Sequence, residues 1–337
     1  MATPLRAAVI GLGWAGTVHT RVLSSLDGVD LIAVADTDPQ RRSAFPGLLT
    51  VPGIEDLLRL GLDYCVVATP TTGHQPIGLA LAAAGVHALI EKPLAPSLPA
   101  ALALAEAFER AGLIGATGHT ERHNPAIRHV ALRLRAGDYG TVYQVSTRRQ
   151  GPFPGRIRDV GVVADLAIHD VDLAAWLTGA DITSVTARIS HLTGRPHEDL
   201  ASALCQLSDG QVTNHQMNWI SPLKERLLIV HTAGGCLIAD ALTGTVTHHT
   251  NGQVADGCPG TGLFPGVSSG PVTTYRPPPA EPFVSQHKAF RDALLGLANQ
   301  AVTLREGAAA VAAAEAILTS ARTGATVPVG GFTPACP

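Results

Sequence analysis

The sequence predicts an α/β protein in which an open, doubly wound parallel sheet precedes an α+β domain built on a large, mostly antiparallel open sheet. Three observations carry this. Strand-like and helix-like apolar patterns alternate with short connections up to about residue 117. Between residues 182 and 250, six strand patterns follow one another without a helix. A glycine-rich turn joins the first strand to the first helix. A length of 337 residues, 46% hydrophobic and 15% charged, suffices for two cores. The expected domains are 1–120 and 121–337, the last helix being able to pack back on the first domain.

The first strand, Ala7-Ala8-Val9-Ile10, runs into Gly11-Leu12-Gly13-Trp14-Ala15-Gly16 and then a helix with apolar Val18, Val22 and Leu23. Each glycine has a task in a dinucleotide-binding turn. Gly11 makes the tight turn, Gly13 admits a pyrophosphate close to the backbone, and Gly16 lets the helix pack closely on the strand. The first-turn N–H groups of Trp14, Ala15 and Gly16 then face the pyrophosphate. The second strand, 31–35, delivers Asp36, 20 residues after Gly16. A carboxylate there accepts hydrogen bonds from an adenosine ribose, with Thr37 beside it, and repels a 2′-phosphate. The reading is a Rossmann domain that takes NAD, although Arg41 and Arg42 follow closely enough to reach a 2′-phosphate in an NADP enzyme.

The third strand spans 63–69 and ends on Thr69-Pro70; a helix over 74–84, a strand over 87–90, a helix over 98–111 and a strand over 113–117 complete the alternation. Right-handed crossovers place the ligand crevice of such a sheet at the carboxyl ends of its strands. Gly11, Asp36, Thr69, Glu91 and Gly118 all fall there, and Pro70, His74 and Lys92 join the cofactor set, His74 bordering the nicotinamide or ribose. Beyond residue 120 the pattern gives helices over 125–135 and 163–177, strands over 141–149, 182–192, 201–207, 211–219, 226–232, 236–240 and 246–250, and closing helices over 284–297 and 306–322. The Gly- and Pro-rich stretch 251–281 reads as a long excursion, either a loop over the site or an oligomer contact.

Bulk properties exclude several classes. With a net charge of -3 and dispersed Lys and Arg, the chain has no electrostatic footprint for nucleic acid. The apolar run 77–90 contains His87 and is too short to cross a bilayer. Five widely spaced cysteines argue against a disulfide framework or structural zinc and suit reduced thiols in a cytoplasmic protein. His74, His119 and the His248-His249 pair share no helical spacing with a third ligand, so no metal is expected.

Two constellations can carry chemistry. Glu91-Lys92-Pro93 follows the fourth strand, which puts Lys92 at the rim of the cofactor crevice. An ammonium about 4 Å from an oxygen that gains negative charge contributes ~4 kcal/mol at an effective dielectric of ~20. The second is Asp165-Leu166-Ala167-Ile168-His169-Asp170-Val171-Asp172, where 165, 169 and 172 share one face of the expected helix. His169 titrates near neutrality and can accept a hydroxyl proton, with Asp165 orienting it. The bland alternatives are a solvated strand-end lysine and an amphipathic helix with acids facing water. The apolar flanks of both segments favour the chemical reading.

These pieces resemble the glucose-fructose oxidoreductase, inositol dehydrogenase and rhizopine catabolism (Gfo/Idh/MocA) family over nearly the whole chain. The matching residues are Gly11 to Gly16 with His19, Ala68-Thr69-Pro70 with His74, Glu91-Lys92-Pro93, Arg122 with Pro125, and Asp165-x-x-x-His169-x-x-Asp172. The resemblance implies Lys92 and His169 as the catalytic pair, Asp165 as a substrate or base-orienting group, and a C-terminal sheet of six to nine strands that forms homodimers or homotetramers. Residues 118–125 and 151–162 resemble the UDP-N-acetylglucosamine 3-dehydrogenase group, with His123 and Gly155 standing where that group has an aromatic residue and a proline. Arg122, Asn124, Arg156 and Arg158 then become candidates to hold the substrate, the alternative for each arginine being a surface or interdomain ion pair. The few lysines among 24 basic residues suit a high-GC bacterium and antibiotic biosynthesis. The expected activity is NAD-dependent oxidation of a secondary ring hydroxyl (EC 1.1.1), at the 3-position of an aminosugar that is either UDP-linked or part of an aminoglycoside. An inositol or inosamine dehydrogenase, and a non-catalytic NAD-binding regulator, are the alternatives.

Overall fold

The computed structural model describes residues 3–155, 157, 160–252, 269–298 and 300–330. It contains two compact units: Met1–His123 with Glu281–Glu315, and Asn124–Ala280 with Ala316–Gly331. The first unit is discontinuous in sequence, residues 281–315 returning to it.

The first unit begins with β1 (Leu5–Ile10), α1 (Trp14–Leu23), β2 (Val29–Ala35), α2 (Pro39–Ser43), β3 (Leu49–Val51), α3 (Ile54–Leu58), β4 (Tyr64–Val67), α4 (Thr71–Ala83), β5 (His87–Glu91), α5 (Leu98–Arg110) and β6 (Gly115–Gly118). The six strands form one parallel sheet in the order β3-β2-β1-β4-β5-β6. Chain order reverses beside β1, so the crevice that binds ligands in such sheets opens there, next to Gly11. The central strands are apolar on both faces: Ala7, Ala8, Val9, Val34, Val66, Val67, Leu89 and Ile90 are buried. The short elements α2, β3 and α3 are absent from the sequence expectation, because three to five residues hold too little of either period to register.

In the second unit come α6 (Pro125–Arg135), β7 (Val142–Pro152), a π-helical turn (Val163–Ala167), α7 (Ile168–Thr178), β8 (Ile182–Ser190), β9 (Leu200–Leu207), β10 (Val212–Asn218), β11 (Ile220–Thr232), β12 (Gly235–Asp240), β13 (Thr245–Asn251) and β14 (Ser269–Tyr275). With β15 (Val327–Pro328) they make a nine-stranded sheet, β14-β13-β12-β11-β7-β10-β9-β8-β15. Only β7 and β10 pair in parallel; every other neighbouring pair is antiparallel. One face is covered by α6 and α7, whose Ile127, Val130, Leu173, Ala174 and Leu177 pack with Leu228, Val230, Leu237 and Val246.

The structure corrects the reading of 251–281 as an irregular excursion. Ser269–Tyr275 is the edge strand β14, in register with β13 from Val246↔Tyr275 to Asn251↔Ser269. Gly270 and Pro271 disguise it in the sequence, and an edge strand is where a proline without an N–H is tolerated. Residues 253–268 lie outside the described residues.

α8 (Pro282–Leu294) belongs to the first unit, where its Phe290 meets the Tyr64 ring edge-on at 5.4 Å. The unit boundary falls inside α9 (Leu304–Thr323), between Glu315 and Ala316. Among the described residues, no helix is long and apolar enough to cross a membrane.

Candidate active site

The glycine turn after β1 has the shape a dinucleotide needs. Gly11 has φ +92°, and a Cβ there would stand 2.5 Å from the Thr69 amide nitrogen, so neither the conformation nor the space admits a side chain. A Cβ on Gly16 would overlap the Gly11 carbonyl oxygen, which fixes how closely α1 approaches the turn. Gly13, by contrast, faces open space and caps α1 without a side-chain hydrogen bond. Bare backbone at a helix N-terminus, open on its outer side, fits a pyrophosphate. The Thr69 hydroxyl at the end of β4 is buried with no hydrogen-bond partner, a polar atom that also suits a bound cofactor.

Asp36 closes this turn from β2. Its side chain is 7% exposed; Oδ2 accepts from the Leu12 amide at 2.7 Å and Oδ1 from the Asp38 amide at 2.9 Å. Arg41 sits 3.5 Å from the same carboxylate, and Arg42 donates to the backbone carbonyls of Asp36 at 2.6 Å and Thr37 at 3.2 Å. Asp36 therefore shapes the glycine loop. Thr37 and Trp14 are exposed; the Trp14 ring meets Phe283 of α8 edge-on at 6.1 Å.

At the ends of β4 and β5 two turns are tied together. His74 is 1% exposed, and its Nδ1 and Nε2 each lie 2.9 Å from a carbonyl oxygen, of Pro93 and Thr69 respectively. Burial pulls its pKa down while those carbonyls pull it up, and the ring lies between the Thr69-Pro70 turn and Lys92-Pro93. Glu91 and Lys92 stand at the end of β5, both partly buried. Burial raises the Glu91 carboxyl, but the His19 hydrogen bond and the nearby Lys92 outweigh it and hold the group below its usual range. Glu91 is thus a carboxylate at neutral pH. It accepts from His19 Nε2 at 2.9 Å and from the Lys92 amide at 3.1 Å.

The second unit carries Asp165, His169 and Asp172. The expected uniform helix from 163 begins instead with the π-helical turn that holds Asp165, and α7 starts at Ile168. The wider turn alters the angle between 165 and 169 from that of ideal 3.6-residue spacing, and single π turns recur at functional sites. Asp165 is 9% exposed and His169 half-buried. Glu198 holds the start of this segment: its Oε1 accepts from the Val163 amide at 3.0 Å, and its carboxyl fills the space where a Cβ on Gly161 would be. Asp170 pairs with Arg149 Nε at 2.9 Å, both nearly buried, and thereby locks α7 onto β7.

Two expected substrate residues have fold partners. Arg122 Nη1 donates to Glu306 at 2.6 Å within the first unit. Asn124 caps α6 through the amides of Ala126 and Ile127 and reaches the Ala241 carbonyl at 3.0 Å. Arg156 and Arg158 lie outside the described residues. Sequence reasoning passed over His287, Glu198 and Arg149, since none stands in a short motif; Asp170 inside the acidic segment was the available signal for the last. Among the described residues, no group of three or more His, Cys, Asp or Glu could hold a metal ion.

Comparison with known proteins agrees with this architecture. Residues 5–119 match the family model described as "Oxidoreductase family, NAD-binding Rossmann fold", and residues 127–237 match the GFO/IDH/MocA C-terminal domain. The chain is 30% identical over 261 residues to a UDP-N-acetylglucosamine 3-dehydrogenase of Acidithiobacillus ferrooxidans, covering 76% of this chain and 80% of that protein. The crystal structure of that dehydrogenase superposes with a TM-score of 0.84 over 96% of this chain and 99% of its own. GenD2 from gentamicin A biosynthesis, solved in complex with NAD, is 27% identical with a TM-score of 0.81, covering 98% of each chain. A myo-inositol dehydrogenase, Hyg17 of Streptomyces leeuwenhoekii, is 33% identical over 54% of this chain and 58% of its own length.

Proposed function

The chain belongs to the Gfo/Idh/MocA oxidoreductase family and is an NAD-dependent dehydrogenase of the sugar and polyol class; from that premise we propose that it oxidises the 3-hydroxyl of an aminosugar ring to a ketone. The observation that carries the chemistry is Lys92 at the carboxyl end of β5, in the same row of strand ends as Gly11 and Thr69. The choice of an aminosugar rests on the likeness to the UDP-N-acetylglucosamine 3-dehydrogenase and to GenD2.

Removing hydrogen from a secondary alcohol takes a proton from oxygen and a hydride from carbon. NAD, when bound, supplies the hydride acceptor. His169 serves as general base for the hydroxyl proton, a role worth ~10²-fold to 10⁴-fold. Asp165, on the preceding π turn, orients the imidazole and steadies its protonated form. Lys92 stabilises the alkoxide as charge grows on oxygen. Gly11, Gly13 and Gly16, with the amides of Trp14 and Ala15, hold the pyrophosphate; Asp36 with Thr37 holds the ribose; Thr69, Pro70 and Glu91 border the nicotinamide end, and His74 supports their turn. Arg122, Asn124 and Arg156 are the candidates to hold the substrate, Arg156 at its anionic end, with Arg122 and Asn124 also bonded to fold partners.

The test is absorbance at 340 nm with NAD and a panel of UDP-N-acetylglucosamine, aminoglycoside intermediates with an intact ring 3-hydroxyl, and myo-inositol. Turnover of an aminosugar is the expected result. Turnover of inositol alone favours the polyol reading that Hyg17 suggests, and NAD binding without turnover of any alcohol favours a regulator.

A further inference from the structure

Behind Glu91 lies a line of hydrogen bonds that the mechanism above does not use. His287 Nε2 is 2.8 Å from His19 Nδ1; His19 Nε2 is 2.9 Å from Glu91 Oε1; Glu91 Oε2 accepts from the Lys92 amide at 3.1 Å. His19 is 0% and His287 1% exposed, so neither ring can touch a substrate or a bound cofactor. His19 comes from α1, the helix whose N-terminus faces the glycine turn, and His287 from α8, which arrives 268 residues later. Gly118 at the end of β6 leaves room for the carboxylate: a Cβ there would stand 2.8 Å from Glu91 Oε1. The rings of His19 and His287 meet edge-on at 5.0 Å, and Phe283 closes the other side of His19 at 5.2 Å.

We propose that His19 and His287 are positioning residues for Lys92, a single hydrogen-bonded line that fixes the Glu91 carboxylate and through it the backbone from which the lysine projects. This rests on the dehydrogenase reading. The direction of the line follows from the donor inventory. An ionised carboxylate only accepts, so His19 Nε2 carries the hydrogen, and in the proposed line its Nδ1 is the acceptor. His287 Nε2 must then donate to it, leaving His287 Nδ1 as a bare lone pair. That atom is buried with no hydrogen-bond partner, which an acceptor tolerates better than an N–H would. Burial keeps the His287 ring neutral.

Substitutions at residue 19 separate the two ends of the line. The amide nitrogen of a glutamine reaches about where Nε2 sits, and that of an asparagine about where Nδ1 sits. In the full chain with saturating NAD, His19→Gln is expected to keep kcat within about threefold, and His19→Asn to lose about tenfold or more, with the NAD dissociation constant moving less than about threefold in both. Equal kcat in the two variants, or a loss confined to NAD affinity, overturns the proposal. A second arm needs no sugar. Nitrogen-15 spectra of the histidine-labelled protein, with the His19 signals identified by their loss in His19→Gln, are expected to show the Nε2–H tautomer at neutral pH; any other protonation pattern overturns it. His287→Phe is expected to leave the hydrogen on His19 Nε2 and to move the His19 Nδ1 resonance as its donor is lost, and an unchanged Nδ1 signal removes His287 from the line. Absence of turnover in the unaltered enzyme counts against the substrate reading alone, because the spectroscopic arm stands without it.

Discussion

The two candidate catalytic side chains are held by opposite means. Lys92 projects from the end of a buried parallel strand, and its surroundings are fixed by backbone geometry, the Glu91 carboxylate and the His19 ring bonded to it. His169 projects from a helix entered through a π turn and pinned by a buried ion pair between Arg149 and Asp170. The first arrangement follows from the sheet itself, since every parallel strand delivers its last residue to the same edge. The second has to be built by partners from other strands: Arg149 from β7 and Glu198 from the segment preceding β9. The comparison teaches that a cofactor-side group can be rigid at little cost in buried charge, whereas the substrate-side group here depends on charges that leave little room for substitution.

The largest expected effect lies in the second region. Asp170→Ala takes a carboxylate away from the buried Arg149 guanidinium and is expected to cost about 3–5 kcal/mol of unfolding free energy in urea titrations; a cost under about 1 kcal/mol would mean that the ion pair does not hold α7. In the first region, Lys92→Ala is expected to leave NAD affinity intact and lower kcat by about 10²-fold to 10³-fold, the scale of losing one preorganised partner of a developing oxyanion. Near wild-type turnover would refute the role of the lysine. Next come the two glycines. Gly16→Ala must displace the Gly11 carbonyl and is expected to lose about 1–3 kcal/mol of stability. Gly13→Ala faces open space and should keep the melting temperature while weakening NAD binding, measured by calorimetry; a drop in melting temperature with unchanged affinity would reverse the assignment.

Smaller effects sharpen the contrast between neutral and charged burial. His215 lies between Thr147 and Thr213 in the second sheet, 2.8 and 2.9 Å from their hydroxyls. Burial lowers its pKa from 6.5 to about 4. The unfolded ring therefore takes up a proton that the folded ring refuses. Its contribution is complete above pH 6.5 and is lost as pH falls from there towards about 4, at up to ~1.4 kcal/mol per pH unit. Urea titrations between pH 7 and pH 5 should show that slope, and His215→Gln should reduce it. Finally, Asp36→Ala is expected to narrow the preference for NAD over NADP by about tenfold, a single lost ribose interaction. An unchanged ratio of the two dissociation constants would take Asp36 out of the ribose site.

Much of the first unit was legible because its information is local. Gly11, Gly13 and Gly16 lie within six residues of one another, and Asp36 ends the very next strand. The open, doubly wound parallel sheet then follows from alternation and crossover handedness, and its strand order comes from the structure. The second unit was legible as a class, since period-2 strands without helices between them leave few alternatives to an antiparallel sheet. Three features were not. Pro271 hid β14, whose existence depends on pairing with β13. A regular helix pattern over 163–177 carries no mark of the π turn that holds Asp165. Nothing near residue 19 points to residue 287.

The amino-acid sequence by itself determined the backbone of the cofactor turn and the residue types available for chemistry, because steric exclusion at a glycine and the reach of a strand end act over a few residues. Tertiary structure alone decided which distant polar groups pair with one another. Arg122 found Glu306, Asn124 became a helix cap, and His19 was closed in by a helix from the far end of the chain. The physical reason is that a hydrogen bond is set by the distance between two atoms, and the partners of Arg122 and His19 lie far from them in the sequence.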